Sequence, residues 1–240
     1  MTTDSLKRLW KTVFGDTDAF IDTFFHVAYS PERCRYIEEK GEAVSALYWL
    51  DCEYRGGKLA YLYAVATDPD HRGKGLASRL LADTHAHLKS LGYAGAVLKP
   101  ARGLFPFYAR LGYQTTGFIR RFQAMASDLP AKIREVSVPE YAALRRQLLP
   151  ELSVVQEGVT LEFLHTFARF YTAEGALVSL SREEPVIFEY LGDPALASGI
   201  LAALKLEKAT LPTPGSDVPF TMFLPLNCTK TPGYLGITLE

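Results

Sequence analysis

Hydrophobic residues recur every three or four positions in the first part of the chain and then change to a strand-like pattern. The segments DSLKRLWKTVFG and DTDAFIDTFFHVAYS therefore predict two amphipathic helices. The segments RCRYIEE, AVSALYWLDCEY and KLAYLYAVAT, rich in Tyr, Val and Leu, predict three strands. Turn residues from Arg55 to Gly57 separate the last two strands, so we expect an antiparallel hairpin there.

The next segments alternate between helix and strand. LASRLLADTHAHLKSLG repeats leucine along one face and ends at a glycine, which predicts a long amphipathic helix. YAGAVLKP predicts a short buried strand, LFPFYARLG a short helix, and YQTTGFIRRFQAMAS a further strand. This order of elements predicts an α/β (α+β) fold built on a mixed sheet.

The pattern breaks at SDLPAK, residues 127–132, which predicts two domains, 1–127 and 130–240. KIREVSVPEYAALRRQLLP predicts a strand and a helix, and a long helical stretch follows around 161–171. GALVSLS and EPVIFEYLG predict strands, DPALASGILAALKL predicts a helix, and KATLP, PFTMFLPL and GYLGITLE resemble strands. The order loosely resembles that of the first half, without a convincing sequence repeat.

Composition and charge exclude several classes of protein. The 240 residues are 48% hydrophobic, enough for a core, and 26 Lys and Arg balance 27 Asp and Glu. Such a balance gives no electrostatic basis for binding nucleic acid or an anionic membrane. The three cysteines form no CxxC or Cys/His cluster, so no metal site is predicted. We find neither a signal peptide nor a transmembrane run and expect a cytoplasmic protein.

A loop with two glycines, HRGKG at residues 71–75, lies between a predicted strand and the long helix. Unpaired N–H groups at a helix N-terminus attract anions, and glycines let the backbone approach a ligand. Lys74 and Arg79 lie at this helix start, where the helix dipole disfavours cations, and a bound polyphosphate would reverse that preference. The loop alone leaves a second interpretation open, namely a turn with solvated basic side chains.

The loop does not match common nucleotide-binding patterns. The GxGxxG fingerprint lacks its third glycine, where Ser78 stands, and the Walker pattern is absent. The pattern R-x-x-G-x-[G/A] fits from Arg72 to Ala77, and FYARLGY follows further along the chain. Together these motifs resemble the GCN5-related N-acetyltransferases (GNAT superfamily). LKPARGLFPFYARLGY is particularly similar to Eis-type, two-domain bacterial members, and the resemblance covers roughly residues 6–125.

The resemblance implies a GNAT fold in the N-terminal half and acetyl-CoA as co-substrate, with no metal. It implies that the backbone of one strand segment pairs with the pantetheine arm and polarises the thioester carbonyl. The residues implied in cofactor binding are Val65, Ala66 and Thr67 on that strand and Arg72, Gly73, Lys74, Gly75, Leu76 and Ala77 in the pyrophosphate loop.

The resemblance also implies that Tyr108 is the general acid for the departing thiolate. An ordinary phenol gives its proton to a thiolate uphill by about 2 kcal/mol, so a hydrogen bond is as suitable as full transfer. From the residues alone, Tyr108 is also consistent with a buried aromatic that packs the short helix.

The sequence departs from the family pattern in ways that leave the general base open. KLAY at residues 58–61 lacks the glutamate that many GNATs carry there, and PARGL replaces an asparagine before the last helix. Glu53, Tyr61 and Tyr63 are candidates for the base. In Eis-type relatives the C-terminal carboxylate enters the active site, which makes Glu240 a further candidate.

The second half lacks R-x-x-G-x-[G/A]. The loop before its last helix holds Asp193 and no basic residue, and an acid there would repel pyrophosphate. Residues 130–240 are therefore predicted to form a second, smaller, degenerate GNAT-like domain that covers the acceptor side or makes a dimer contact. An unrelated α+β domain that only stabilises the first is the alternative.

The favoured function is an N-acetyltransferase that moves an acetyl group from acetyl-CoA to a primary amine by direct attack. The predicted partners are acetyl-CoA and an amine acceptor, with a homodimer as one arrangement and neither nucleic acid nor membrane. The missing glutamate motivates an alternative, a non-catalytic acyl-CoA-binding or regulatory module. A nucleotide-binding protein is a third interpretation of the loop.

Overall fold

The computed structural model describes residues 3–55 and 57–239. Two helices come first, followed by a mixed succession of strands and helices. The helices are α1 (Thr3–Phe14), α2 (Asp18–Val27), α3 (Leu76–Ser90), α4 (Phe105–Arg110), α5 (Val138–Leu148), α6 (Val159–Phe167) and α7 (Ala197–Ala203). The strands are β1 (Cys34–Glu39), β2 (Glu42–Tyr54), β3 (Gly57–Thr67), β4 (Gly95–Leu98), β5 (Gln114–Met125), β6 (Arg134–Glu135), β7 (Ala168–Ala173), β8 (Ala176–Ser181), β9 (Ile187–Leu191), β10 (Lys208–Pro214) and β11 (Val218–Pro225).

Two compact units make up the chain, and both are discontinuous in sequence. Unit 1 comprises Met1–Gln114 and Met222–Thr231, and unit 2 comprises Thr115–Thr221 and Pro232–Glu240. Residues 115–127 thus group with unit 2, in which β5 pairs with β10 from Ile119 to Met125. The assignment of 1–127 and 130–240 as functional domains remains a prediction.

The sheet of unit 1 has the order β1-β2-β3-β4 and is continued by the last residues of β11. The first three strands are antiparallel, as the hairpin prediction required, and β4 runs parallel to β3. Gly56, in the predicted turn, lies outside the described residues. The sheet of unit 1 is therefore mixed, which confirms the predicted fold class.

Helices cover both faces of the sheet in unit 1. The Tyr48 ring of β2 packs 5.4 Å from the Trp10 ring of α1, measured between ring centroids. The alternate residues Leu47 and Trp49 belong instead to a buried cluster that includes Leu81 of α3. Because successive strand residues point to opposite faces, a nearly continuous apolar run such as SALYWL is buried on both sides.

Unit 2 contains the strand order β10-β5 with the first residues of β11, and a second, antiparallel sheet ordered β6-β7-β8-β9. One core cluster joins α7 to strands of both sheets. Its fully buried members are Ala176, Val178, Ile187, Tyr190, Ala197, Ile200, Leu201 and Leu211. Among the described helices, none combines the length and the apolar character needed to cross a bilayer.

Two predicted elements differ from the structure. The helix predicted around 161–171 ends at Phe167, and the residues that follow form β7. There the buried Phe170 follows the exposed Arg169, and pairing with β8 favours this two-residue alternation over the helical spacing. The tail GYLGITLE forms no regular strand within the described residues, although Tyr234 and Ile237 accept hydrogen bonds through their carbonyls.

A buried ion pair connects three parts of unit 2. The Arg145 guanidinium donates to both carboxylate oxygens of Glu189 at 2.7 and 2.9 Å, and both side chains are at most 1% exposed. The hydroxyls of Tyr141 and Tyr234 donate to the same carboxylate at 3.0 Å. Arg145 also donates to the carbonyl of Leu235 at 3.1 Å. The network therefore holds the C-terminal segment against α5 and β9.

Breaking this ion pair will destabilise the protein. Arg145→Leu leaves the Glu189 carboxylate buried without its counter-charge, and we expect a loss of about 3–5 kcal/mol in the free energy of unfolding. Urea denaturation measures this loss. The neighbouring Arg146→Leu is the control, because its ion pair with Glu157 is exposed and should contribute much less. Equal losses in the two variants would contradict the interpretation.

Candidate functional site

A bulge interrupts β3 at Ala64. The pair Ala46–Ala66 is followed by the pair Tyr48–Tyr63, so one residue of β2 faces two residues of β3. Ala64 has a φ of 48°, in the left-handed region, which costs an L-residue about 1–2 kcal/mol. Such strain persists only where the surrounding structure enforces it, and it is often found at functional sites.

The edge of β3 beyond the bulge is open on the side of β4. The parallel pairing of β3 with β4 ends where Tyr61 lies opposite Val97. β3 continues to Thr67, whereas β4 ends at Leu98. In the part of the chain that the structure describes, no strand pairs with 65–67 on that side. Backbone groups of this segment are therefore left unused by any described strand on that side, so an extended ligand can pair with them as an added strand.

The loop after β3 is fixed to the end of that strand. The Asp68 carboxylate accepts a hydrogen bond from the Asp70 N–H at 2.9 Å and lies 3.1 Å from the His71 Nδ1. The Arg72 Nε donates to the carbonyl of Thr67 at 3.2 Å. These contacts hold the loop where β3 ends and α3 begins.

Two glycines bring the loop into the start of α3. Gly73 and Gly75 have φ values of 77° and 72°, which favour glycine, and nothing lies within 4 Å of the position a Cβ would occupy on either. Gly75 caps the fifteen-residue helix without any side-chain hydrogen bond. No side chain therefore caps the N-terminus of α3, where the first N–H groups include those of Leu76 and Ala77.

The same helix start is positively charged. The side chains of Arg72, Lys74 and Arg79 are exposed, and the first turn of α3 contains no acidic residue. Lys74 and Arg79 form no ion pair with any described residue. The helix dipole and three cations therefore act together on an anion.

Unit 2 differs at the corresponding place in its order of elements. The Asp193 carboxylate accepts a hydrogen bond from the Ala195 N–H at 2.9 Å, so a side chain of the chain itself occupies that turn. Asp68 makes the same kind of contact in unit 1, so what the turn of unit 2 lacks is the set of basic side chains that follows Asp68. That an acid there opposes phosphate binding stays a prediction.

Tyr108 lies on α4 within the core of unit 1. Its side chain is 6% exposed, and it belongs to the cluster against which Val65 packs. Its ring contacts those of Phe107 and Tyr113, with centroids 5.0 and 5.6 Å away. No described residue forms a hydrogen bond with its hydroxyl, and burial raises the pKa of Tyr108 to about 12. The structure thus brings Tyr108 and the open strand edge into one cluster.

The candidates for the base lie in different surroundings. Glu53 is exposed and lies opposite Lys58 in the ladder between β2 and β3. Lys58 stands near the beginning of β3, about 20 Å along the strand from the bulge. Tyr61 and Tyr63 flank the bulge on its N-terminal side, but burial raises the pKa of both phenols. They are therefore protonated at neutral pH. Glu240 lies outside the described residues.

Sequence reasoning missed two features of this site. The bulge at Ala64 has no signal in the local sequence, because it depends on the register of β3 against β2. The second feature is the contact of the half-buried His85, whose Nε2 lies 2.8 Å from the Tyr113 hydroxyl and which no spacing in the sequence indicates. No group of three or more potential metal ligands occurs among residues 3–55 and 57–239.

Comparison with known proteins shows which family and which fold the chain resembles. Residues 2–116 match the family model described as an acetyltransferase (GNAT) domain. A search of curated proteins finds no matching sequence. A GCN5-related N-acetyltransferase from Anabaena variabilis aligns with a TM-score of 0.75 at 16% identity, over 94% of this chain and 70% of that chain.

Two further solved structures share the fold. A GCN5-related N-acetyltransferase from Kribbella flavida has a TM-score of 0.71 at 18% identity, over 94% of this chain and 69% of that chain. Eis1 from Mycobacterium abscessus has a TM-score of 0.68 at 13% identity, over 94% of this chain and 71% of that chain. At sequence identities this low, the similarity to these structures shows a shared fold alone.

The chain thus contains an acetyltransferase domain. Residues 2–116 match a GNAT acetyltransferase domain, which confirms the predicted resemblance to that family, the predicted fold and the prediction of a GNAT-type acetyltransferase.

Replacing Ala64 with glycine will stabilise the protein. Glycine adopts the φ of 48° without steric cost, so we expect a gain of up to about 1 kcal/mol in the free energy of unfolding, less the entropy that glycine adds to the unfolded chain. Thermal or urea unfolding measures this gain. Ala60→Gly, in an unstrained part of β3, is the control and should destabilise. A loss at both positions would contradict the assigned strain.

Proposed function

We propose that this protein is an N-acetyltransferase that moves the acetyl group of acetyl-CoA to a primary amine by direct attack. The single observation that carries the proposal is the combination of the open edge of β3 with the uncapped, cationic start of α3 within unit 1. An extended ligand with a diphosphate at one end matches both features. Coenzyme A has this chemistry.

The diphosphate is proposed to bind the loop from Arg72 to Ala77. Its oxygens accept hydrogen bonds from the backbone N–H groups at the start of α3, where Gly73 and Gly75 leave room. Lys74, whose side chain is exposed, supplies part of the counter-charge. The support for this role is the absence of a side-chain cap on a fifteen-residue helix.

The pantetheine arm is proposed to lie along Val65, Ala66 and Thr67 as an added strand. Its amides then pair with backbone groups that no described strand uses on that side. One N–H of this segment points at the thioester carbonyl and stabilises the oxyanion that forms during attack.

The chemical step is a direct transfer. The amine nitrogen attacks the thioester carbon, a C–N bond forms, the C–S bond breaks, and coenzyme A leaves as its thiolate. With a pKa of about 12, the Tyr108 phenol gives its proton to a thiolate of pKa about 8.5 uphill by about 5 kcal/mol. This exceeds the cost expected for an ordinary phenol. Tyr108 is therefore proposed to donate a hydrogen bond to the sulfur, and solvent supplies the proton that completes the thiol.

The amine must lose a proton before it attacks. An amine of pKa about 10.4 is neutral in only about one molecule in a few thousand at pH 7. The phenols of Tyr61 and Tyr63 are poor bases because burial raises their pKa values. Solvent in the cleft is therefore proposed to accept this proton.

The proposal also includes the cellular compartment of the protein and its oligomeric state. Cys34, Cys52 and Cys228 are free thiols in the structure, which supports a reducing compartment such as the cytoplasm. Residues 130–240 are proposed to form a homodimer contact.

Release of free thiol across a panel of primary amines tests the function. Turnover above the hydrolysis background is expected with at least one amine, and Tyr108→Phe should lower kcat by about 100-fold while calorimetric binding of coenzyme A is retained. Coenzyme A binding without amine-dependent thiol release would favour the non-catalytic acyl-CoA-binding module. Absence of binding by folded protein would contradict the assignment of the loop.

The pH dependence tests the proton acceptor. If solvent takes the proton, kcat/KM for the amine rises about tenfold per pH unit from 7 to 9, because the neutral fraction of the amine rises by that factor. Initial rates at saturating acetyl-CoA measure the slope. A plateau below pH 8 would indicate a base supplied by the protein.

A further inference from the structure

A histidine outside the proposed cofactor site connects α3 to the segment after α4. His85 is half-buried on α3, and its Nε2 lies 2.8 Å from the hydroxyl of Tyr113, twenty-eight residues further along the chain. The two rings pack with centroids 5.5 Å apart. Tyr113 itself is 2% exposed, so its hydroxyl depends on this one partner in the described structure.

Tyr113 is attached to Tyr108 in two ways. Its N–H donates to the Tyr108 carbonyl at 3.2 Å. Its ring also meets the Tyr108 ring edge to face, with centroids 5.6 Å apart and an angle of 73° between the planes. Any rotation of the Tyr113 ring therefore changes the surface against which Tyr108 packs.

The protonation states favour one direction for the hydrogen bond. Burial lowers the pKa of His85 to about 4, so the imidazole is neutral near pH 7 and Nε2 is able to accept. Burial raises the pKa of Tyr113, so its phenol keeps the proton and donates it. A buried hydroxyl that loses its only acceptor is unfavourable, which holds the pair together.

We propose that His85 is a positioning residue for Tyr108. The hydrogen bond from Tyr113 to His85 fixes the Tyr113 ring, and that ring fixes the orientation of the Tyr108 ring and the direction of its hydroxyl. The inference rests on the proposed role of Tyr108 at the leaving sulfur. A hydroxyl held in line with the leaving sulfur stabilises its developing negative charge better than a hydroxyl that rotates away. The hydrogen bond between Tyr113 and His85 therefore affects the chemical step and not cofactor binding.

Steady-state kinetics on matched variants distinguish this role from a structural one. His85→Leu removes the acceptor, Tyr113→Phe removes the donor, and His85→Gln retains an oxygen that accepts. His87→Leu is the control, because His87 lies on the same helix and its ring faces Trp49.

We expect His85→Leu and Tyr113→Phe each to lower kcat about tenfold, with the KM for acetyl-CoA changed less than about twofold. His85→Gln should recover most of the rate, and His87→Leu should match the wild type. In a Tyr108→Phe background, His85→Leu should lower kcat no further, because its effect passes through Tyr108. An unchanged kcat in folded His85→Leu, or an equal loss in that background, would overturn the proposal.

A second measurement does not depend on activity. Protein labelled with 3-fluorotyrosine carries thirteen ¹⁹F resonances, and Tyr108→Phe identifies the one from residue 108. His85→Leu should shift or broaden that resonance, whereas His85→Gln and His87→Leu should leave it close to its wild-type position. A Tyr108 resonance unaltered by His85→Leu would refute the positioning role. If the wild type shows no turnover with any amine, the proposed function fails, and the resonance still decides the positioning claim.

Discussion

The separation of β3 from β4 is the constraint on which the candidate site depends. The two strands pair only from Leu59 to Tyr61, and the bulge at Ala64 lies between the end of this pairing and the segment 65–67. An uninterrupted parallel pair would use the backbone groups of 65–67 within the sheet and leave none for a ligand. The left-handed conformation of Ala64 lies directly before this open segment, and such strain is often found at functional sites.

The start of α3 gives that open edge its chemical selectivity. An open strand edge accepts many extended molecules, but a helix N-terminus without a side-chain cap and with three exposed cations prefers a polyanion. The last helix of unit 2 shows the contrast. Asp193 and Asp68 each accept a hydrogen bond from an N–H of the turn that follows, and neither α3 nor α7 has a side-chain cap at its start. The two places differ in charge, because basic side chains follow Asp68 and none stands between Asp193 and α7.

The sequence predicts the elements whose signals are local. Helices α1, α2 and α3 follow from apolar spacing, and the loop from Arg72 to Ala77 follows from its glycines and basic residues. The bulge could not be predicted, because one additional residue in β3 alters neither composition nor periodicity and is defined only against β2. The contact of His85 with Tyr113 also required the structure, since it brings together two residues twenty-eight positions apart in sequence. The helix was predicted to continue beyond Phe167 because the apolar residues there fit both the spacing of a helix and the alternation of a strand.

The discontinuity of unit 1 has a consequence for how the chain acquires its fold. Residues 222–225 form the strand that pairs with β4, and the Phe223 ring fills the space in front of Gly95. During synthesis, an emerging chain that has passed Gln114 still exposes the edge of β4 until these late residues leave the ribosome. Such an edge can pair with other chains, so the nascent protein has a long interval of vulnerability to misassembly. Fragments that stop near residue 127 would keep that edge permanently, which makes the intact chain the natural unit for expression.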